Sequence, residues 1–280
     1  MPFRQIAFGA SIALTLSACS SPDEVSEELG VTQDAASATS SSSAAAASAS
    51  TSASAKARAV EEETDLYSFA FSYPAAAAKI PELAAMLDDK HDSAKAALKS
   101  QATDDREQAQ ANDYPYRAHS YSQEWKVVAD TPGFLSLSGA FSTYTGGAHG
   151  MYGLESLVWD KQAGEAMKGA AMFLSAKALD DALGDRLCKA LNAERAERRG
   201  EPVPEVLEGD DFGFDSCQPV KDATVLVGSA GGKAFDRIGI WFGPYVAGPY
   251  AEGAYELNFA VDAAVIDAVK PEYREAFAAR

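Results

Sequence analysis

Aromatic residues alternate with small and polar ones along Leu66-Tyr67-Ser68-Phe69-Ala70-Phe71-Ser72-Tyr73-Pro74. This predicts a strand with one buried face, ended by the proline. The period then lengthens. Ile80, Leu83, Met86 and Leu87, followed by Ala94, Ala97 and Leu98, recur at helical spacing, and Pro81 suits a first turn, so a helix is expected from about Ile80 to Ala111. Beyond Tyr114-Pro115-Tyr116, strand patterns return over Tyr121–Asp130, Phe134–Tyr144 and Gly153–Asp160, with turns at Thr131-Pro132-Gly133 and at Gly146-Gly147. The expected arrangement is an antiparallel meander.

A second helical stretch runs from about Phe173 to Arg199, with Leu179, Leu183, Leu187 and Leu191 in one i, i+4 series and a kink expected at Gly184. Arg195, Arg198 and Arg199 fall in its last turn, before Gly200 and Pro202, where cations oppose the negative end of the helix dipole. After an acidic loop, Glu201 to Phe214, three short strands are expected at Thr224–Val227, Arg237–Phe242 and Tyr255–Val261. Gly228-Ser229-Ala230-Gly231-Gly232 reads as a hairpin turn, and Pro271 to Arg280 as a short terminal helix or a frayed end. Few strand–helix–strand alternations occur, so the fold class is α+β, with helices packed on antiparallel sheets in two small subdomains, 64–165 and 166–280.

The N-terminus follows a different logic. Arg4, an apolar run from Ile6 to Leu16 and small residues before Cys19 form an export signal over residues 1–18, too short to span a bilayer. Leu16-Ser17-Ala18-Cys19 resembles a bacterial lipobox, which makes Cys19 the lipidated first residue of the mature chain. Ser20 after it, by the same resemblance, favours the outer membrane of a Gram-negative bacterium, with the folded part in the periplasm. The other reading is an ordinary secretory signal in which Cys19 falls by chance. From Cys19 to about Glu63 there is no aromatic residue, and Ala35 to Ala59 is almost wholly Ala, Ser and Thr. Residues 19–63 are therefore expected to be a disordered tether reaching about 40 Å.

Across 280 residues, 24 Lys and Arg stand against 41 Asp and Glu, a net −17. Removal of Arg4 with the signal leaves 23 against 41, or −18. Such acidity excludes an electrostatic grip on nucleic acid and confines membrane contact to the lipid anchor, while favouring a cationic partner. With Cys19 acylated, Cys188 and Cys217 remain in an oxidising compartment and are expected to pair.

Catalytic signatures do not assemble. Gly228 to Gly232 lacks the spacing of a nucleophile elbow, and Gly232-Lys233 lacks that of a phosphate loop. His91, His119 and His149 are far apart, and Asp88, Asp89, His91 and Asp92 read as a solvated helix end, so no metal and no cofactor is expected. Glu208, Asp210, Asp211 and Asp215 miss the EF-hand spacing.

Two segments stand out: Tyr144-Thr145-Gly146-Gly147-Ala148-His149-Gly150, and Phe242-Gly243-Pro244-Tyr245-Val246-Ala247-Gly248-Pro249-Tyr250-Ala251-Glu252-Gly253. The glycine pair gives backbone freedom for a tight turn, and His149 in it is either a hydrogen-bonding staple or a functional group. The two Pro-Tyr steps place Tyr245 and Tyr250 on rigid turns, suited either to recognition or to hinges packed on the core. In order and spacing, over about Leu66 to Phe277, these segments resemble the paired domains of unknown function of RsiV-type anti-sigma factors and of the N-terminal part of a peptidoglycan deacetylase. The resemblance implies a non-enzymatic module on a lipid anchor that binds a cationic protein such as lysozyme, or else peptidoglycan, with Tyr144, Gly146, Gly147, His149, Tyr245, Tyr250 and Glu252 as recognition residues. A wall-modifying enzyme is the third reading.

Overall fold

The first sheet contains six strands in chain order: β1 (Arg58–Glu63), β2 (Tyr67–Tyr73), β3 (His119–Asp130), β4 (Phe134–Tyr144), β5 (Met151–Asp160) and β6 (Glu165–Met167). The computed structural model describes residues 56–204 and 212–280. The expected export signal, Cys19, the tether as far as residue 55, and Glu208, Asp210 and Asp211 lie outside the described residues. Among those described, no helix is long and apolar enough to cross a membrane.

Tyr67, Phe69, Phe71 and Tyr73 all point to one buried face of β2, as their alternation requires. That face is covered by α2 (Pro81–Ala111), which follows the single turn α1 (Ala75–Ala78) and buries Leu83, Leu87, Leu98 and Ala102 against it. This 31-residue helix is also a crossover. It carries the chain back across the sheet, so β3 lies parallel to β2, with Tyr67 beside His119. The sheet is consequently mixed, and the antiparallel meander expected from the sequence holds only from β3 to β6.

Two further differences have clear causes. The tether expected up to residue 63 gives way at Arg58 to β1, antiparallel to β2 from Arg58↔Tyr73 to Glu63↔Ser68. β1 has no aromatic alternation because it is an edge strand held partly by the ion pairs Arg58–Asp88 and Lys95–Glu62 and by a hydrogen bond that the Tyr67 hydroxyl donates to Glu62. His91, expected on a solvated helix end, is only 6% exposed, with its ring edge-on to Phe69 and Phe71 at 5.2 and 5.4 Å. It continues the i, i+4 series of Leu83 and Leu87, so the helix phase carries it inward.

The second sheet, β7 (Thr224–Gly228), β8 (Arg237–Phe242) and β9 (Tyr255–Ala260), is antiparallel in chain order. Against it pack α3 (Ala176–Leu183), α4 (Asp185–Arg199) and α5 (Ala263–Ala268). The kink expected at Gly184 is a full break: its φ of 53° and ψ of −141° end α3 and start α4 in a conformation few side chains accept. Leu179, Leu183, Leu187 and Leu191 nevertheless stay buried on one side of both helices. The terminal helix is a 3₁₀ segment, Pro271–Ala276.

The architecture is α+β with two hydrophobic cores, one per sheet. They meet, because Ala129 of β3 and Val158 of β5 belong to the second core and Phe134 packs on Phe235 at 5.9 Å. Cys188 of α4 and Cys217 form a disulfide, with Cα atoms 5.2 Å apart. With the two cysteines 29 positions apart in sequence, the loop-entropy model assigns the bond about 3–4 kcal/mol of stabilisation.

Candidate functional site

The two sequence segments singled out above meet. Tyr144–Gly150 is the turn between β4 and β5, and Gly243–Gly253 links β8 to β9. Gly146, at φ 84°, lets the first turn reverse without strain. The Tyr144 hydroxyl donates to the Gly147 carbonyl at 3.1 Å, and the Arg117 guanidinium donates to the same oxygen at 3.4 Å. In the second segment Tyr245 is held at φ 67°, a conformation a bulky residue adopts only where its surroundings impose it.

Where the turns touch, the His149 imidazole stacks on the Tyr250 ring at 4.1 Å between centroids and 26° between planes. Its Nδ1 is 2.9 Å from the Gly150 carbonyl. A carbonyl only accepts, so Nδ1 carries a proton, and in the neutral ring Nε2 is left to accept from the Tyr245 hydroxyl at 3.4 Å. The Tyr250 hydroxyl donates to the same Gly150 oxygen at 2.8 Å. Tyr245 and Tyr152 flank Tyr250 at 5.6 and 6.2 Å between ring centroids. The result is a four-ring patch built from both sheets. It is open to solvent at His149, at Tyr152 (36% exposed) and at Tyr245 (48% exposed). His149 acts in it as a staple between the two turns.

Glu252, grouped with the recognition residues above, instead turns inward. Arg199 of α4 donates to both its carboxylate oxygens, at 2.8 and 3.1 Å, and the Tyr255 hydroxyl donates to one of them. Burial works to raise the Glu252 carboxyl, but the hydrogen bonds from Arg199 and Tyr255 outweigh it and hold it below its ordinary range. Burial first, and the bond to Glu252 second, push the Tyr255 phenol up to about 12. Arg199 also pairs with Asp215, and Arg198 donates to the Glu252 and Ala254 carbonyls at 2.7 and 2.8 Å while lying 4.0 Å over the Tyr255 ring. Glu252 therefore fixes the segment from beneath.

Arg195, expected among the last-turn cations of the helix, is fully buried. It continues the i, i+4 series of Leu179 to Leu191, which carries it under the second segment. There it donates to the carbonyls of Ala247, Asp215 and Ser216 at 2.9, 3.2 and 3.0 Å and to the Asn192 side chain at 2.8 Å. Desolvation, and then the neighbouring Arg199, lower its pKa, yet arginine stays charged far above neutrality. Arg195, through Ala247, and Arg199, through Glu252, clamp the second segment to α4, and the disulfide ties Cys217 to the same helix.

Tyr152 and Arg195 were legible to a limited degree. Tyr152 stands three residues beyond His149 on the outward side of β5, and Arg195 falls on the leucine stripe. His119, far from His149 in the sequence, is buried under the loop after α2 with its Nε2 3.2 Å from Asp105. Among the described residues, no group of three His, Cys, Asp or Glu is placed to hold a metal ion.

The family model described as "Deacetylase PdaC" matches residues 60–152, from β1 to the start of β5 and including the Tyr144–Gly150 turn. Among solved structures, a DUF3298 family member from Bacteroides fragilis is similar over 79% of this chain and 95% of its own, at 16% identity and a TM-score of 0.50. A DUF3298 family protein from Pseudomonas aeruginosa is similar over 80% of this chain and 97% of its own, at 16% identity and a TM-score of 0.48. No curated protein matches the chain. At this identity the first likeness shows the fold alone, and the family model is matched only over residues 60–152.

Proposed function

We propose that this protein is an envelope-associated binding module that recognises a cationic wall-degrading protein, lysozyme first among candidates, through the patch of His149, Tyr152, Tyr245 and Tyr250. The observation that carries this is the exposed Tyr245 held at φ 67° among three further rings. Tyrosines on a rigid frame bring large amphipathic contact area and lose little entropy on binding, which is what a recognition surface needs. The net −17 adds long-range attraction for a basic partner and speeds its association. Lipidation of Cys19 would hold the module in the outer membrane, its folded part in the periplasm. The work is done by contact, and no catalytic role is assigned to it.

Titration of a c-type lysozyme into the full chain at two salt concentrations, with muramidase activity followed in parallel, tests the reading. The expected result is saturable one-to-one binding with loss of activity, weaker at higher salt and reduced about tenfold or more by Tyr245→Ala. No heat and no inhibition, or equal binding by Tyr245→Ala, would overturn it. A second reading, a peptidoglycan-binding module, is supported by the same open tyrosine faces, which also suit sugar rings. Co-sedimentation with purified sacculi, lost in Tyr245→Ala, is its expected outcome, and sacculi that leave the protein in the supernatant would remove it.

A further inference from the structure

The two sulfurs of the disulfide sit in unlike places. Cys217 is exposed on the loop that follows Phe214, whereas Cys188 is half-buried in the first turn of α4, at a helix end that no side chain caps. Asn192, one turn further along α4, has its Nδ2 3.8 Å from the Cys188 sulfur. The orientation of that amide is fixed from its other end. A guanidinium only donates, and the Arg195 Nη1 lies 2.8 Å from the Asn192 Oδ1, so the amide NH₂ has to face the sulfur. A disulfide sulfur accepts weakly. A thiolate accepts strongly, so this contact gains strength once the bond is broken, and the positive end of the helix dipole favours the same anion. Asp185, the carboxylate of that turn, is met by Lys189 at 3.7 Å.

We infer that this disulfide is a site of thiol–disulfide exchange with a protein dithiol, Cys217 being the sulfur attacked and Cys188 the sulfur that leaves. A thiolate of the dithiol attacks the exposed Cys217 Sγ and bonds to it, while the bond to Cys188 breaks and its electron pair departs on the Cys188 sulfur, facing the Asn192 amide. The second thiol, giving up its proton, then attacks its own partner sulfur in the mixed disulfide and releases Cys217. The dithiol ends oxidised to a disulfide, and the two cysteines end reduced. Exchange would be felt beyond the bond itself. Next to Cys217, the Asp215 and Ser216 carbonyls are held by the same guanidinium that holds the Ala247 carbonyl between Tyr245 and Tyr250. Freeing Cys217 from α4 leaves that shared network without its covalent tie and loosens the segment above it. Exchange therefore sets how firmly the aromatic patch is presented, and only this consequence rests on the function proposed above.

The test uses the full chain in native buffer, with no binding partner present. Dithiothreitol is expected to open the bond at a rate proportional to its concentration, with the circular dichroism spectrum unchanged, and about tenfold more slowly in Asn192→Leu. Glutathione in limiting amount is expected to end on Cys217 and to leave Cys188 for alkylation, as peptide mass mapping of the unsubstituted chain reads. After reduction, the amides of Val246, Glu252 and Gly253, each hydrogen-bonded within the segment, should exchange with solvent about tenfold faster. Opening only in denaturant, loss of the fold on reduction, glutathione on Cys188, or an equal rate in Asn192→Leu would each overturn the exchange site. Unchanged amide exchange would overturn its link to the patch. Because lysozyme plays no part in these measurements, their failure and the failure of the proposed function are distinguishable.

Discussion

His149 and Tyr250 stack at 4.1 Å between ring centroids and meet at a single acceptor, the Gly150 carbonyl, to which both donate. One residue belongs to the first sheet's turn and the other to the segment leaving the second sheet, so this contact joins the two halves of the proposed recognition patch. Its two components are separable. Tyr250→Phe keeps the ring and removes one hydrogen bond, and should lower stability by about 0.5–1.5 kcal/mol while leaving the patch able to bind. Tyr250→Ala removes the stack as well and should abolish partner binding. Urea unfolding set beside the lysozyme titration distinguishes the two, and equal behaviour of both variants would contradict this division of roles.

Arg195 clamps the same segment from below, and its replacement should be among the most damaging in the chain. Arg195→Met fills much of the volume but takes away the donor shared by Ala247, Asp215 and Ser216. The expected cost is about 3–5 kcal/mol, read as a lower urea midpoint at unchanged slope. Because Ala247 lies between Tyr245 and Tyr250, partner binding should fall with it. A loss below about 1 kcal/mol would mean that the segment is held without the guanidinium.

The Glu252–Arg199–Tyr255 cluster should write itself into the pH dependence of stability at both ends. The Glu252 carboxyl is held below its ordinary value of 4.5 in the folded chain, so its contribution is complete above that value and disappears as the pH falls through the lower folded-state value. Tyr255 runs the other way. Its phenol is raised to about 12, so its contribution is complete below the ordinary 10.0 and is lost as the pH rises through about 12. Glu252→Gln should flatten the acid limb of urea stability plotted against pH, and Tyr255→Phe the alkaline limb. Unchanged limbs in these variants would refute the assignment.

A chain begun at Leu66 would lack β1, and that loss has consequences. The outer edge of β2 would be left unpaired along Ser68–Tyr73, and Asp88 and Lys95 would lose their partners Arg58 and Glu62. An exposed edge with alternating aromatic residues is a template for association. Such a chain should self-associate and unfold at a lower temperature than one begun before Arg58, as light scattering and thermal melts would show. Identical melts would mean that β1 contributes nothing.

Much of the secondary structure was legible in the sequence alone. Alternation marked β2, strand patterns between turn signals marked β4 and β8, the i, i+4 leucines marked the helices around Gly184, and counting thiols paired Cys188 with Cys217. These signals are local, because periodicity records which face of an element is buried, whatever buries it. The tertiary structure decided the rest. It set β3 parallel to β2 through the crossover of α2, added β1 on the strength of ion pairs distant in sequence, and drew His91, His119 and Arg195 inward. It also divided the recognition candidates, gathering Tyr245, Tyr250 and His149 into a patch with Tyr152 while turning Glu252 toward Arg199. Each of these depends on which surfaces meet, and a buried polar side chain looks in sequence like a solvated one until the partner that satisfies it is brought alongside.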